Sequence, residues 1–343
     1  MKTLKFQNIR DMRQETHNPE DYSFIPFNFN GKDRRVYSNM NVSIMIDDYC
    51  NADCKFCVAQ LRYENVGKLY SKPKLKHDDY IKQVDYLLNY LKPLNPSISI
   101  TGGEPTKSSK LPEVLELINK YGYRKRTLTT NGSGLFDEVN GKTVIQHIVD
   151  NKFHHLNISK AHFDDEINRG IMAYRTGYTS NEMLETIVAF SKANNLSPRM
   201  SCLLLKEGVS SLEDAIAYMD FYQKLGIENV IFRELMNYDA EAMKNDTKIK
   251  YCVDNKVYLD DIWKQIDNDD RFTPIRNIDG YYYYVEVYKY KNISMCSESA
   301  NLVKLYDEKT KHPDIVYEMV IHPNGSLNGS WVDTEDILVP SPI

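Results

Sequence analysis

Six cysteines hold most of the chemical information in this sequence, and three of them crowd into one short stretch. The clustered cysteines are Cys50, Cys54 and Cys57, and the scattered ones are Cys202, Cys252 and Cys296. Three thiolates on one tight loop can converge on a single soft metal centre. An iron–sulfur cubane normally takes four cysteines, so three without a near fourth predict a cubane with one iron open to another ligand. The alternative is a zinc loop or plain packing, but no second Cys pair or nearby histidine accompanies the loop.

The segments around this loop alternate between strand-like and helix-like patterns. The predicted strands cover residues 42–46, 97–101, 126–130, 154–159, 199–205 and 229–235. The predicted helices cover residues 77–91, 111–121, 144–149, 181–194 and 212–225. This alternation predicts βα units and a parallel sheet, which forms either an open doubly wound sheet or an incomplete barrel. The cysteine loop follows the first of these strands.

The pattern divides the chain into three predicted regions. Residues 1–39 read as a loop-rich N-terminal arm, residues 40–237 as the βα core, and residues 238–343 as a mixed, mainly antiparallel extension. Within the extension, residues 281–290 form a tyrosine-rich strand. Residues 315–331 form a predicted hairpin that turns at Asn324-Gly325, the pair favoured in type I′ turns.

Composition excludes several classes of protein. The chain has 343 residues, of which 42% are hydrophobic and 27% charged, as in ordinary globular domains. No apolar run approaches the roughly 18 residues that span a bilayer, and no secretory signal is seen, so we expect no membrane contact and a cytoplasmic location. A net charge of −5 argues against broad nucleic-acid binding. In a reducing cytosol, clustered cysteines more often bind metal than form disulfides.

At two motifs the sequence resembles the radical S-adenosylmethionine (SAM) superfamily. The cysteines match Cys-x3-Cys-x-aromatic-Cys, with Phe56 as the aromatic residue. One βα unit later, Gly102-Gly103-Glu104-Pro105 ends the second strand, although such a segment could also be an ordinary turn. The resemblance covers roughly residues 40–235. It implies an α/β fold with a partial (β/α)6 barrel, and a site at the carboxyl ends of the strands.

The resemblance also implies a set of site residues. One [4Fe-4S] cluster would be held by the three clustered cysteines beside Phe56, and SAM would bind its open iron. Gly102 and Gly103 would let the backbone approach SAM closely, and Glu104 would accept a hydrogen bond from its ammonium group. In members similar to the molybdenum-cofactor cyclase, polar residues at later strand ends contact the ribose and carboxylate of SAM. The matching residues here are Thr130, Asn131 and Ser159, for which a polar strand-end cap is the alternative.

Arg233 ends the sixth strand and would meet the SAM carboxylate or an anionic substrate. An ion pair with Glu234 or another acid is the alternative. The weaker catalytic candidates are Cys252, Cys296 and His162, for which packed thiols and a surface histidine are the alternatives. The extension is a candidate lid, with tyrosines that line a substrate entrance.

For the reaction, the resemblance implies reductive cleavage of SAM to a 5′-deoxyadenosyl radical that takes hydrogen from a substrate. The electron would come from a flavodoxin- or ferredoxin-like donor. No closely spaced cysteines for an auxiliary cluster occur in the extension, which departs from the cyclases and from most peptide-modifying members. We therefore rank a small-molecule substrate first, with nucleotide- or sugar-derived compounds as the leading type, and a peptide second. A non-catalytic iron–sulfur electron carrier and a zinc-stabilised interaction module rank below both.

Overall fold

The computed structural model describes residues 23–57, 72–235, 247–279, 283–300 and 302–342. The strands of the first half are β1 (Phe24–Phe29), β2 (Lys32–Tyr37), β3 (Asn41–Met45), β4 (Ser97–Thr101), β5 (Lys125–Thr130), β6 (Glu138–Val139), β7 (Lys142–Thr143) and β8 (His155–Ser159). Those of the second half are β9 (Ser197–Leu203), β10 (Asn229–Arg233), β11 (Phe272–Asp279), β12 (Tyr283–Tyr290), β13 (Ile293–Ala300), β14 (Ile315–Val316), β15 (Met319–Ile321), β16 (Leu327–Asn328) and β17 (Ile337–Val339). The helices are α1 (His77–Leu91), α2 (Leu111–Tyr121), α3 (Val144–Asp150), α4 (Asp165–Met172), α5 (Asn181–Ala193), α6 (Leu212–Lys224), α7 (Thr247–Asp254), α8 (Leu259–Ile266) and α9 (Leu302–Lys311).

Six strands form the parallel core of the protein. They lie in the order β3-β4-β5-β8-β9-β10, and each pairs in parallel with its neighbour. The predicted α/β fold with successive βα units is therefore confirmed. Because all six strands run the same way, their carboxyl ends meet at one edge of the sheet, and the residues that follow them come close together.

The C-terminal extension completes both sides of this core. β13 pairs in parallel with β10, and the antiparallel strands β12 and β11 follow it outward. On the other side, β15 pairs in parallel with β3, and the antiparallel strands β16 and β17 follow. Twelve of the described strands thus make one sheet. The extension has parallel pairing where it joins the core strands β3 and β10, and antiparallel pairing among its own strands. Its pairing satisfies backbone N–H and C=O groups of the two core strands that would otherwise be unpaired.

Local sequence fixes several helix ends. The Ser180 hydroxyl accepts a hydrogen bond from the Met183 amide at the start of α5, and Ser211 and Asp214 form a capping box at the start of α6. Asp164 accepts from two backbone amides where α4 begins. α2 ends at Gly122, whose φ of 62° is a conformation that glycine adopts easily.

Two of the turns that contain an Asn-Gly pair differ from the predicted structure. Asn30 (φ 49°) and Gly31 (φ 85°) join β1 to β2, so the described part of the N-terminal arm is a hairpin rather than a loop. The second hairpin turns over residues 322–326, but its turn is wider than the predicted type I′ turn. There the Asn324 Oδ1 atom accepts hydrogen bonds from the backbone and hydroxyl of Ser326, which stabilises a longer loop.

The two faces of the core sheet have opposite character. Along β4, Ile98 and Ile100 are fully buried in the main hydrophobic core, together with residues of α1 and α2. The alternate residues Ser97, Ser99 and Thr101 point to the other side, which we call the inner face. No helix within the described ranges is long and apolar enough to cross a membrane.

Candidate cluster and cofactor site

The cysteine loop begins five residues after β3, and its three thiols are free and partly buried. The Cys57 amide donates to the Cys54 carbonyl (3.1 Å), and the Cys50 thiol accepts from the Ala52 amide (3.4 Å). Burial raises the pKa of Cys50 to about 11, and the neighbouring Glu104 and Cys57 add to that effect. Burial raises the pKa of Cys54 as well, and the other two cysteines raise it further. Bound iron reverses this preference by stabilising thiolates.

This donor set fits the predicted cubane. The set consists of three soft sulfur ligands, and they are close enough to influence one another's pKa. Among the described residues, no group of three Cys, His, Asp or Glu side chains surrounds a single metal-ion position. A cubane has a different requirement, because each of its irons takes a thiolate of its own. The three cysteines are therefore suited to hold three separate irons.

Asn51 anchors the cysteine loop from within. Its side-chain amide donates to the carbonyls of Thr176 (2.6 Å) and Gly177 (2.9 Å), and its Oδ1 atom accepts from Asn131 Nδ2 (2.9 Å). The residue is 1% exposed. Sequence reasoning missed this role because an asparagine within a loop carries no specific signal. The three contacts join the loop to the end of β5 and to the segment after α4.

The Gly103–Glu104 segment after β4 holds the residues that lead into the cysteine loop. The Gly103 amide donates to the Asp47 carbonyl (2.9 Å), and the Glu104 amide donates to the Tyr49 carbonyl (2.7 Å). A Cβ atom on Gly103 would lie 1.9 Å from the Tyr49 carbonyl oxygen, and one on Gly102 would lie 2.7 Å from that of Asp47. Glycine is thus required at these two positions because the segment after β3 packs against them. The sequence analysis predicts a different reason, the close approach of SAM.

Glu104 is the centre of a buried hydrogen-bond network. Its Oε1 atom accepts from the amide (3.0 Å) and hydroxyl (2.6 Å) of Thr106, and from the hydroxyl of Thr130. Its Oε2 atom accepts from the Asn131 amide (2.7 Å). Burial raises the pKa of Glu104, and these donors oppose that shift. Since a carboxylate oxygen has two lone pairs, Oε2 keeps one for a further donor.

The network changes the roles expected for two predicted cofactor ligands. The Thr130 hydroxyl is bonded to Glu104, and the side-chain amide of Asn131 is bonded to Asn51. Both residues are buried, with 2% and 6% of their surface exposed. They therefore position the glutamate and the cysteine loop, and direct contact of either with SAM stays a prediction.

A small apolar cluster covers one side of the cysteines. Cys54 and Phe56 pack against it, as does Tyr174, whose hydroxyl donates to the Asn131 carbonyl (3.3 Å). The buried members are Ala161, Ile171, Met172, Leu205, Leu235, Ile249 and Cys252. Cys252, predicted as a weak catalytic candidate, is 1% exposed within this cluster. Its position near the cysteines comes from α7 of the extension.

The extension also contacts the cysteine loop through charged groups. Lys248 on α7 donates to the Asp53 carboxylate (2.8 Å) and to the Cys54 carbonyl (2.7 Å). Arg175 contacts the same carboxylate at 3.0 Å. Glu234 follows β10 and forms an ion pair with Lys256 of the extension at 3.1 Å. The acid next to Arg233 in the sequence therefore has Lys256 as an ion-pair partner.

The remaining predicted residues lie in different places. Ser159 and Arg233 end β8 and β10, each at an inward position at the carboxyl edge of the core sheet. His162 stacks on Phe163 with 4.4 Å between ring centroids, and its Nδ1 atom accepts from the Asp164 amide (2.9 Å), so it supports the turn into α4. Cys296 lies on the inner face of β13, where its register partner on β10 is Ile231.

A family model of the radical SAM superfamily matches residues 44–219, which are 176 of the 343 residues. The chain belongs to the radical SAM superfamily. This assignment confirms the predicted enzyme family and, with it, the family's two cofactors, SAM and a [4Fe-4S] cluster. The closer likeness to molybdenum-cofactor cyclases stays a prediction.

Solved structures of radical SAM proteins share the fold. The crystal structure of Streptococcus suis SuiB bound to S-adenosylmethionine superimposes with a TM-score of 0.52, at 18% identity over 94% of this chain and 64% of that chain. SuiB bound to its precursor peptide SuiA gives a TM-score of 0.51, at 17% identity over 94% and 63%. At these identities the likeness concerns the fold alone.

One curated relative matches in sequence over a shorter stretch. A 7,8-dihydro-6-hydroxymethylpterin dimethyltransferase from Methanocaldococcus jannaschii is 31% identical over 114 residues, which are 33% of this chain and 20% of the relative. The radical SAM chain thus spans about a fifth of that protein and less than two thirds of SuiB.

Proposed function

We propose that the protein is a radical SAM enzyme in which Cys50, Cys54 and Cys57 bind one [4Fe-4S] cluster and the Gly102–Glu104 segment holds SAM. One observation carries this proposal. The Gly103 and Glu104 amides are hydrogen-bonded to Asp47 and Tyr49, the residues that lead directly into the cysteine motif, at the carboxyl ends of adjacent parallel strands. When bound, the cluster and SAM would supply the radical chemistry that removes a hydrogen atom from a substrate carbon.

The residues of the chain have three tasks in this proposal. The hydrogen bonds of Asn51 and Lys248 fix the cysteine loop, so the thiols stay in place. The apolar cluster around Cys252 keeps water away from that side of the site. The free lone pair of Glu104 Oε2 is an acceptor for the ammonium group of SAM, in a buried position where a charge-assisted hydrogen bond is strong.

For the substrate, we infer a small molecule ahead of a peptide. The inner face of the core sheet has short polar side chains such as Ser99, Thr129 and Ser201, which suit hydrogen bonding to a polar compound. A peptide is the second candidate, because the SuiB structure that shares this fold holds a precursor peptide. A flavodoxin- or ferredoxin-like protein is the proposed electron donor.

Anaerobic reconstitution tests the proposal directly. We expect about four irons and four sulfides per chain, since a cubane holds that number. With SAM and dithionite, the reconstituted protein should form 5′-deoxyadenosine, measured by liquid chromatography, and the same sample without dithionite should form none. An iron content near eight atoms per chain would contradict the prediction of a single cluster. Bound zinc in place of iron would contradict the radical SAM proposal itself.

Glu104→Gln tests the ammonium acceptor. The new side-chain NH2 must face either the Thr106 or the Asn131 amide, so one buried hydrogen bond becomes a contact between two donors. We expect the free energy of unfolding to fall by about 1–3 kcal/mol, and SAM affinity to fall roughly 10- to 150-fold. Equilibrium binding and denaturant titration measure the two effects. The control is Glu116→Gln on the exposed side of α2, which should change neither quantity. Unchanged SAM affinity in Glu104→Gln would remove Glu104 from the SAM site.

A further inference from the structure

Three polar side chains lie together on the inner face of the core sheet, below the strand ends that hold the cofactor site. His155 and Asn157 are on β8, and Arg199 is directly opposite Asn157 on β9. The residues between them, Leu156 and Met200, are fully buried in the main core on the other side. Because side chains alternate along a strand, the three polar groups share the inner face.

Arg199 has a neutral neighbour instead of an acid. Its Nη2 atom lies 2.9 Å from His155 Nε2. A guanidinium group only donates, so His155 Nε2 accepts, and the proton of the neutral ring is on Nδ1. Burial, together with the positive charges of Arg199 and Lys125, lowers the pKa of His155 to about 3, so the ring is uncharged. The pair therefore keeps a full positive charge.

Three buried atoms of this group have unused hydrogen-bonding capacity. Arg199 Nε, His155 Nδ1 and Asn157 Oδ1 have no hydrogen-bond partner among the described residues. Two of these atoms are donors. A second cation, Arg276, acts on the charge of Arg199, and no carboxylate of the described residues forms an ion pair with it. Proteins rarely leave two buried donors without an acceptor, because such groups are costly to desolvate.

We propose that Arg199 and His155 form an oxyanion subsite that binds a carboxylate or phosphate group of the substrate. This inference rests on the proposed function and specifies its substrate class. An oxyanion supplies both of the missing features, negative charge and acceptor lone pairs. Asn157 Oδ1 adds an acceptor for a hydroxyl or N–H group next to the anion. The substrate is thus a small anionic molecule.

The subsite also orients the substrate. His155 lies four residues before Ser159, so at about 3.3 Å per residue it is roughly 13 Å below the end of the strand. The cofactor site is at that end. The anionic group is therefore at the end of the substrate opposite the carbon that loses hydrogen. By holding that group, the subsite determines which substrate carbon faces the cofactor site.

Titration of the reconstituted, SAM-bound protein with inorganic phosphate and with acetate tests the subsite. Calorimetry at constant ionic strength should show saturable binding of at least one of these anions, and Arg199→Gln should weaken it at least tenfold. The control is Arg35→Gln, an exposed arginine paired with Asp314 outside the core sheet, which should bind as the wild type does. Tighter phosphate binding indicates a phosphorylated substrate, and tighter acetate binding indicates a carboxylate. No saturable binding by the wild type, or equal binding by Arg199→Gln, overturns the proposal.

Thermal unfolding separates a binding role of Arg199 from a structural one. Without added anion, Arg199→Gln should melt at the same temperature as the wild type or higher, because a half-buried charge without an acidic partner is removed. Added phosphate or acetate should raise the melting temperature of the wild type and leave that of the variant unchanged. A variant that melts lower and still responds to anions contradicts the subsite. If the variant does not fold, an absence of saturable binding by the wild type still overturns the proposal.

The two proposals can fail separately. Formation of 5′-deoxyadenosine by the wild type without substrate reports only the proposed function. A wild-type protein that makes it but binds neither anion contradicts the subsite alone. One that binds an anion through Arg199 but makes no 5′-deoxyadenosine contradicts the proposed radical SAM activity and keeps the subsite.

Discussion

Replacing Cys54 with alanine should reduce the iron content of the reconstituted protein to near zero and abolish 5′-deoxyadenosine formation. A cubane bound by three protein thiolates loses a third of its protein ligands in this variant, and no described thiol besides Cys50 and Cys57 lies in the loop. Among the three clustered cysteines, Cys54 is the one that packs against the apolar cluster. Its thiol lies 3.7 Å from the Met172 sulfur within the apolar cluster. Iron analysis and the absorbance of the reconstituted sample measure the effect.

Two further cysteines provide matched controls for this variant. Cys252→Ala makes the same chemical change in the same apolar cluster, and Cys202→Ala makes it on β9 in the main core. Each should lose some stability, about 1 kcal/mol or more for a small buried side chain, and keep the full iron content. Loss of iron in Cys252→Ala comparable to that in Cys54→Ala would mean that Cys252 is a ligand, and the proposed ligand set would be wrong.

The helices and strands of the core were predictable because each has its own periodicity and its own end signals. All predicted core elements occur, with boundaries within two residues of the prediction. α5 and α6 illustrate the reason. Ser180 and Ser211 both cap their helices through local hydrogen bonds that the sequence displays directly. Such contacts join residues a few positions apart, so the sequence contains both partners.

The extension was harder to predict because its pairing partners are distant in sequence. β13 and β15 look like members of local hairpins, yet each also pairs with a core strand that is dozens of residues away or more. The tyrosine-rich strand shows the consequence. Tyr288 donates to Asp267 at 2.5 Å and Tyr290 stacks on Phe272 at 5.0 Å, and both tyrosines are buried in the main core. These two tyrosines therefore support the core and do not line an entrance, while Tyr281 and Tyr282 lie outside the described residues.

The sequence predicted the parts of the candidate site whose residues lie within one short stretch of the chain. The cysteine motif and the Gly-Gly-Glu segment are each continuous in sequence. Asn51, His155 and Arg199 were missed as functional residues because their meaning depends on contacts across the fold. Asn51 reaches the segment after α4, and Arg199 reaches a neighbouring strand 44 residues earlier. No local pattern distinguishes such residues from ordinary polar ones.

Gly103→Ala should destabilise the protein severely and prevent assembly of the cluster. The added Cβ would lie 1.9 Å from the Tyr49 carbonyl oxygen and 2.4 Å from the carbonyl carbon, and both are backbone atoms that cannot rotate away. The strand ends must then separate. That movement breaks the hydrogen bonds from Gly103 to Asp47 and from Glu104 to Tyr49, which hold the start of the cysteine loop. We expect a loss of more than about 4 kcal/mol in the free energy of unfolding, together with loss of iron.

Gly170→Ala is the matched control, because a Cβ on Gly170 meets nothing within 4 Å and the residue is inside α4. It should raise the free energy of unfolding by about 0.5–1 kcal/mol, since alanine loses less conformational freedom in a helix. Denaturant titration and iron analysis of both variants distinguish two roles for the glycine pair. If Gly103 serves only the approach of SAM, Gly103→Ala keeps its stability and iron and loses SAM affinity alone. If it holds the cysteine loop, stability and iron are lost together, and SAM binding is lost with them.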